Sequence, residues 1–218
     1  MLNGQSLTNK RNTEYSDPAD YYCTPTEATE ALLDFMNIDT EIPIWECACG
    51  SGHIRKVLEK RGYCTYGTDI RSTEFCEKQV DFLTVTKNEI PFKVEFGIIT
   101  NPPFNVSEGF ILKAMELGAK MFCYLLKSQY WHAKRRVELF RKYPPAYILA
   151  LTWRPDFCNG ERGKSPTMDT FWCVWKQCEH DTRYRVLEKP NTKLSWGINY
   201  DRHDLSGRIC PECVEVKE

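Results

Sequence analysis

The chain has 218 residues, 27% of them charged, with a formal net charge of -1. That length suffices for one large domain with a substantial core, and the near-neutral balance does not announce a polyanion partner, although local basic faces remain open to one. No apolar run approaches the roughly 18 residues of a membrane span, and the start of the chain lacks the apolar core of a signal peptide, so a cytoplasmic protein with no membrane partner is expected.

In chain order, residues 1–20 are polar and without periodicity, which predicts a flexible arm. Thr24 and Pro25 are suited to open a helix, as hydroxyl cap and first helical residue, with Ala28, Ala31, Leu32 and Phe35 behind them at helical spacing. Ile42 to Cys47 reads as a strand, Ile54 to Lys60 as a helix, Cys64 to Asp69 as a strand, Val80 to Leu83 as a short strand and Phe96 to Thr100 as another. Phe110 to Leu117 reads as a helix, Met121 to Leu126 as a strand and Trp131 to Lys142 as a helix. The basic run Lys134, Arg135, Arg136 reads as a solvated face. Tyr147 to Trp153 and Thr170 to Lys176 complete the strands, with a polar loop between them.

This alternation predicts an α/β domain over residues 21–178, with a mostly parallel sheet covered by helices on both faces. Two consecutive strands with no helix between them predict an antiparallel strand at one edge. Residues 179–218 are charged and weakly patterned, a tail packed on the domain or extending from it. The 11 cysteines form an odd set. Cys47, Cys49, Cys123 and Cys173 lie in apolar segments, which fits buried thiols in a reducing compartment. Cys210 and Cys213 make half of a zinc site with no evident second half, so no metal is expected.

Chemistry gathers first at "ECACGSG". Gly50 and Gly52 fall just after a strand and before a helix, where glycine permits a tight turn and close approach of a ligand. Glu46 and Asp69 end the first two strands, so a parallel sheet brings both carboxylates to its carboxyl edge. The Gly50 to Asp69 spacing suits a ribose-binding acid, yet Arg55 stands where a dinucleotide fingerprint wants a third glycine. A nucleoside cofactor without a pyrophosphate remains.

The second concentration is "NPPF", Asn101 to Phe104, which ends a buried strand with two prolines. Together with the Glu-x-Ala-Cys-Gly-Ser-Gly turn, Asp69 and "VDFL" at Val80 to Leu83, it resembles the class I S-adenosylmethionine-dependent methyltransferases, and among them the N6-adenine DNA methyltransferases. The resemblance spans roughly Tyr22 to Lys176 and implies a Rossmann-like fold. It further implies S-adenosylmethionine as cofactor, with Thr24 and Pro25 over its methionine part, Glu46, Ala48, Gly50 and Gly52 as its loop, Asp69 and Ile70 at the ribose, and Asp81 and Phe82 at the adenine. The compact chain is most similar to enzymes of this kind encoded by bacterial viruses.

The implied reaction explains the prolines. An aromatic amino group is a weak nucleophile because its lone pair is delocalised into the ring. Asn101 and the carbonyl of Pro102 would accept its hydrogens, Pro103 would stiffen the turn, and Phe104 would stack on the base. In a duplex the target adenine has to leave the stack. Tyr130, Trp131, Arg154, Phe157, Arg162 and Lys164 form a candidate DNA-binding set, each also readable as a core-edge aromatic or a solvated loop cation. The 42 residues after Lys176 are too few for a separate recognition domain. RNA adenine, a protein glutamine or a non-catalytic nucleic-acid-binding role are the alternatives.

Overall fold

The computed structural model describes residues 23–157, 166–177, 179 and 181–190. The expected arm, the Cys210 and Cys213 pair, and Arg162 and Lys164 of the DNA-binding set lie outside these residues.

Eight strands form one sheet in the order β3-β2-β1-β4-β5-β7-β6-β8. They are β1 Ile44–Glu46, β2 Thr65–Asp69, β3 Lys78–Gln79, β4 Gly97–Thr100, β5 Met121–Lys127, β6 Tyr147–Leu151, β7 Thr170–Lys176 and β8 Arg183–Leu187. β7 runs antiparallel to both of its neighbours, β5 and β6, and every other pairing is parallel. The antiparallel strand expected at one edge is β7, which lies inside that end of the sheet with β6 and β8 beyond it.

Alternation along the strands divides the core in two. Met121, Cys123 and Leu125 of β5 join Ile44, Trp172 and Val174 on one face, under α1 (Thr26–Met36) and α2 (His53–Lys60). Phe122, Tyr124 and Leu126 join Trp45, Cys173 and Trp175 on the other, under α3 (Ser107–Leu117) and the short α4 (Val137–Lys142). β5 is buried almost throughout, as a central strand of a doubly covered sheet should be. The Phe122 and Trp175 rings stack across β5 and β7, 4.9 Å between centroids and 10° between planes.

Five sequence expectations change. Thr24 does not cap α1: Pro25 occupies the N-cap, its φ of -59° preset for the turn, and the Thr24 hydroxyl faces elsewhere. Val80 to Leu83 is not a strand, because the Asp81 carboxylate accepts the Leu83 N–H at 2.9 Å and winds residues 82–84 into a 3-10 turn. The paired strand lies just before it, at β3.

The helix expected from Trp131 begins only at Val137, after two 3-10 turns. Arg136 leaves the expected wet face altogether: its guanidinium lies 3.8 Å from the Tyr130 ring centre, and its Nη1 donates to the Tyr130 carbonyl at 2.8 Å. Finally, β8 carries the sheet past residue 178, with a register that sets Tyr147 against Arg183 and Leu151 against Leu187. Four of its five residues are exposed, Tyr184 and Val186 among them, so its place in the sheet rests on pairing with β6 rather than on burial of its side chains.

Candidate active site

The order of strands reverses between β1 and β4: the chain moves from β1 out to β2 and β3, then returns to the other side of β1. Such a reversal leaves a crevice beyond the carboxyl ends of the two strands, because the following loops part in opposite directions. A cleft of about 880 Å³, part of it open solvent, lies there. Glu46, Ala48, Gly50, Asp69, Ile70, Asp81, Phe82, Asn101 and Thr24 all line it. Pro25, Gly52, Pro102 and Phe104 do not, while Pro103 does.

The glycine turn is built as the spacing predicts. Gly50 and Gly52 have φ of 51° and 69°, a region that penalises side chains. A Cβ on Gly52 would also approach the Phe75 ring to 2.8 Å. Gly50 N donates to Asp69 Oδ2 at 2.8 Å, so the turn and the acid hold each other. Asp69 Oδ1 accepts from Arg71 N at 2.9 Å and Arg71 Nε at 3.2 Å, which keeps this nearly sealed carboxylate compensated.

Glu46, 2% exposed, accepts one backbone bond, from Arg55 N at 3.0 Å. Burial pushes its carboxyl well above the usual range; the Arg55 bond and charge oppose this, while the Asp69 charge adds to it. A group so poised is ready to ionise toward a cation. Arg55 itself spends its side chain on structure, with Nη1 to Phe75 O at 2.6 Å and Nη2 to Glu77 Oε1 at 2.7 Å. It ties α2 to β2 and the following loop, which accounts for the missing third glycine.

Asn101 follows β4 directly. Its Nδ2 donates to Thr24 Oγ1 at 3.1 Å, bridging 77 positions of sequence. The segment before α1 is thereby fastened to the proline turn across the cleft. Pro103 O accepts from Val106 N at 3.1 Å, and the Ser107 hydroxyl donates toward Pro103 O and Phe104 O at 3.2 and 2.9 Å. The turn is thus held by α3 as well as by its prolines.

The cleft also takes in residues to which the sequence reading gave no site role: Cys23, Cys47, Cys49, Ser51, His53, Ile54, Arg71, Leu83, Val106 and Phe110. Some signals were there, since Ser51 sits between the glycines and Val106 and Phe110 share one turn of α3 behind "NPPF". The Ser51 hydroxyl meets His53 Nδ1 at 2.9 Å, and burial with the nearby Lys56 charge holds the imidazole below its usual pKa. Burial, reinforced by the Glu46 charge, pushes the Cys49 thiol up to about 12. Cys47 is raised well above its ordinary value for the same reasons. Neither thiol is a nucleophile at neutral pH.

Among the described residues, the four members of the expected DNA-facing set, Tyr130, Trp131, Arg154 and Phe157, do not form one exposed surface. Tyr130 is 5% exposed, beneath Arg136 and edge-on to Phe140, and Phe157 is 8% exposed within the core. Their apolar bodies satisfy the sheet flanks rather than solvent. Trp131 is half-buried and packs at 4.4 Å on Phe140. Arg154 is exposed and paired with Asp169 at 2.7 Å. Among the described residues no group of three or more His, Cys, Asp or Glu side chains could hold a metal ion, and no helix is long and apolar enough to cross a membrane.

The antiparallel β7 thus lies between β5 and β6, and the crevice lies beside β1. The protein has the class I methyltransferase fold. Its structure is similar to that of a 23S rRNA methyltransferase, with a TM-score of 0.51 at 12% identity over 73% of this chain and 71% of the other. It is also similar to a type I restriction-modification methyltransferase subunit from Streptococcus thermophilus (0.55, 12%, 77% and 47%). A third is a protein from Listeria monocytogenes described as a class I S-adenosylmethionine-dependent methyltransferase (0.53, 12%, 81% and 68%). The chain spans about half of the Streptococcus subunit. No family model matches the chain, and no curated protein matches it.

Proposed function

We propose that the protein transfers a methyl group from S-adenosylmethionine to the exocyclic N6 of adenine in DNA. One observation carries the reading: Asn101, opening the "NPPF" turn, lines the same cleft as the buried acids Glu46 and Asp69.

The cleft suits this cofactor. Three acids, Glu46, Asp69 and Asp81, line it against a single arginine, Arg71. That charge would repel a pyrophosphate and accept a nucleoside bearing cationic groups. The turn at Gly50 leaves no Cβ to obstruct a close approach, and the remaining acceptor capacity of Asp69 can take a ribose hydroxyl. S-adenosylmethionine supplies an electrophilic methyl carbon and departs as a neutral thioether.

The protein's part is to present the nitrogen. With its Nδ2 turned to Thr24, the Asn101 side chain offers its carbonyl end as the acceptor. An amino hydrogen held there is drawn out of the ring plane, which takes the nitrogen lone pair out of conjugation and makes it available to the methyl carbon. Asparagine is neutral and removes no proton itself, so the proton shed after transfer goes to solvent. Phe104 provides a flat apolar face for the base, and the proline pair limits the entropy lost in fixing the turn.

Incubation with radiolabelled S-adenosylmethionine and separate DNA, RNA and protein acceptors, followed by nucleoside analysis, tests the reading. Label recovered as N6-methyladenine in DNA supports it. Label only in RNA or protein moves the acceptor, and absence of label from all three removes the transferase reading.

A further inference from the structure

We propose that Lys127 is a positioning residue for the acceptor, acting through Phe104; this rests on the adenine reading above. Strands β4 and β5 run parallel, with Thr100 opposite Tyr124; β4 ends there, while β5 continues through Lys127, still paired with β7, past the turn at residues 101–104. Lys127 Nζ lies 4.3 Å from the centre of the Phe104 ring. Neither side chain is fully buried.

The ammonium does two things there. It holds one face of the ring by cation–π attraction, so that the ring is already oriented when a flat acceptor arrives, which lowers the ordering cost of binding. It also draws ring electron density toward its own side. The opposite face then becomes a better partner for an electron-rich purine than an unmodified phenyl ring is. The backbone beneath is fixed separately by the Ser107 and Val106 bonds to the Pro103 and Phe104 carbonyls. Lys127 acts on the ring rather than on that backbone.

A double-mutant cycle with Lys127→Met and Phe104→Ala tests this on the nucleic-acid strand that the wild type labels, with S-adenosylhomocysteine present in the binding measurements. Lys127→Met keeps the stem and removes the charge. It is expected to weaken acceptor binding about five- to tenfold and raise KM in step, with kcat changed less than about threefold. In the Phe104→Ala background the same change should cost less than about twofold, since the ring through which it acts is gone. Lys127→Arg, still a cation over the ring, should stay within about threefold of wild type. S-adenosylhomocysteine affinity should be equal in all four proteins of the cycle. Equal losses in both backgrounds would overturn the proposal. So would a loss accompanied by a drop of about one in the salt slope, which would mark a phosphate contact. Failure of the wild type to label any nucleic acid would instead remove the acceptor reading, and this role with it.

Discussion

Glu46 and Asn101 show how single side chains are tuned by where the sheet ends. Burial raises the Glu46 carboxyl, so the folded protein holds that proton more tightly than the unfolded chain does. The associated stability is fully present below the ordinary carboxylate range and is lost as pH rises through the raised value. Glu46→Gln, whose carbonyl can still accept the Arg55 bond, should therefore melt a few degrees higher than wild type at neutral pH and no higher near pH 4, as read by thermal denaturation. Calorimetry should show wild-type cofactor affinity falling as pH drops, by up to about tenfold per unit, as protons compete for Glu46; the glutamine variant should lose this dependence. Asn101→Ala is expected to lower kcat by about two to three orders of magnitude and leave cofactor affinity within about threefold, as for a polarising acceptor that does not carry the cofactor. Single-turnover kinetics beside a binding isotherm separate the two effects.

Element boundaries carry the next level of constraint. The β1 to α2 junction needs Gly52 on two counts, its φ of 69° and the Phe75 ring packed against it. Gly62 has a φ of 87° with open space beside it. Gly52→Ala should therefore cost more than Gly62→Ala, with about 1–2 kcal/mol expected at Gly62 from strain alone. Chemical denaturation of the two variants compares them directly. Helix α1 is fastened to the sheet by the Trp172 indole, which donates to Ala28 O at 2.8 Å in the interior. Trp172→Phe removes that bond, leaving the carbonyl only its helical partner, and opens space, and about 1–3 kcal/mol of destabilisation is expected. Because α1 follows Thr24, the same change should also weaken cofactor binding.

At the scale of the whole molecule, function follows from a reversal of strand order that no local segment contains. Residues from positions 24, 46, 69, 81 and 101 meet only because β4 returns beside β1. A ligand held across that crevice bridges loops from both halves of the sheet and should stabilise the entire fold. At a cofactor concentration of 100 times Kd the linkage is worth about 2.7 kcal/mol, or a rise in Tm of roughly 5–10 °C for a domain of this size. Thermal shift against S-adenosylmethionine and S-adenosylhomocysteine measures it, and an unmoved Tm would argue against a nucleoside cofactor.

Much of this was present in the linear chain. The unbroken apolar runs "FCYLL" and "FWCVW" fit strands buried on both faces, and Gly-x-Gly between strand and helix permits a turn with positive φ, because these are consequences of local sterics and of removing apolar surface from water. The pairing of Glu46 and Asp69 followed from parallel strands sharing one edge, and Asn101 was joined to them by the "NPPF" resemblance. What the chain could not express locally was decided by packing. The exposed β8 joins the sheet through backbone bonds that any side chains permit. Arg136 folds inward onto Tyr130, Tyr130 and Phe157 enter the core instead of facing a nucleic acid, and Lys127 reaches the Phe104 ring from a neighbouring strand. Each depends on which surfaces remain uncovered after the sheet has closed, a property of three-dimensional proximity that spacing along the sequence does not encode.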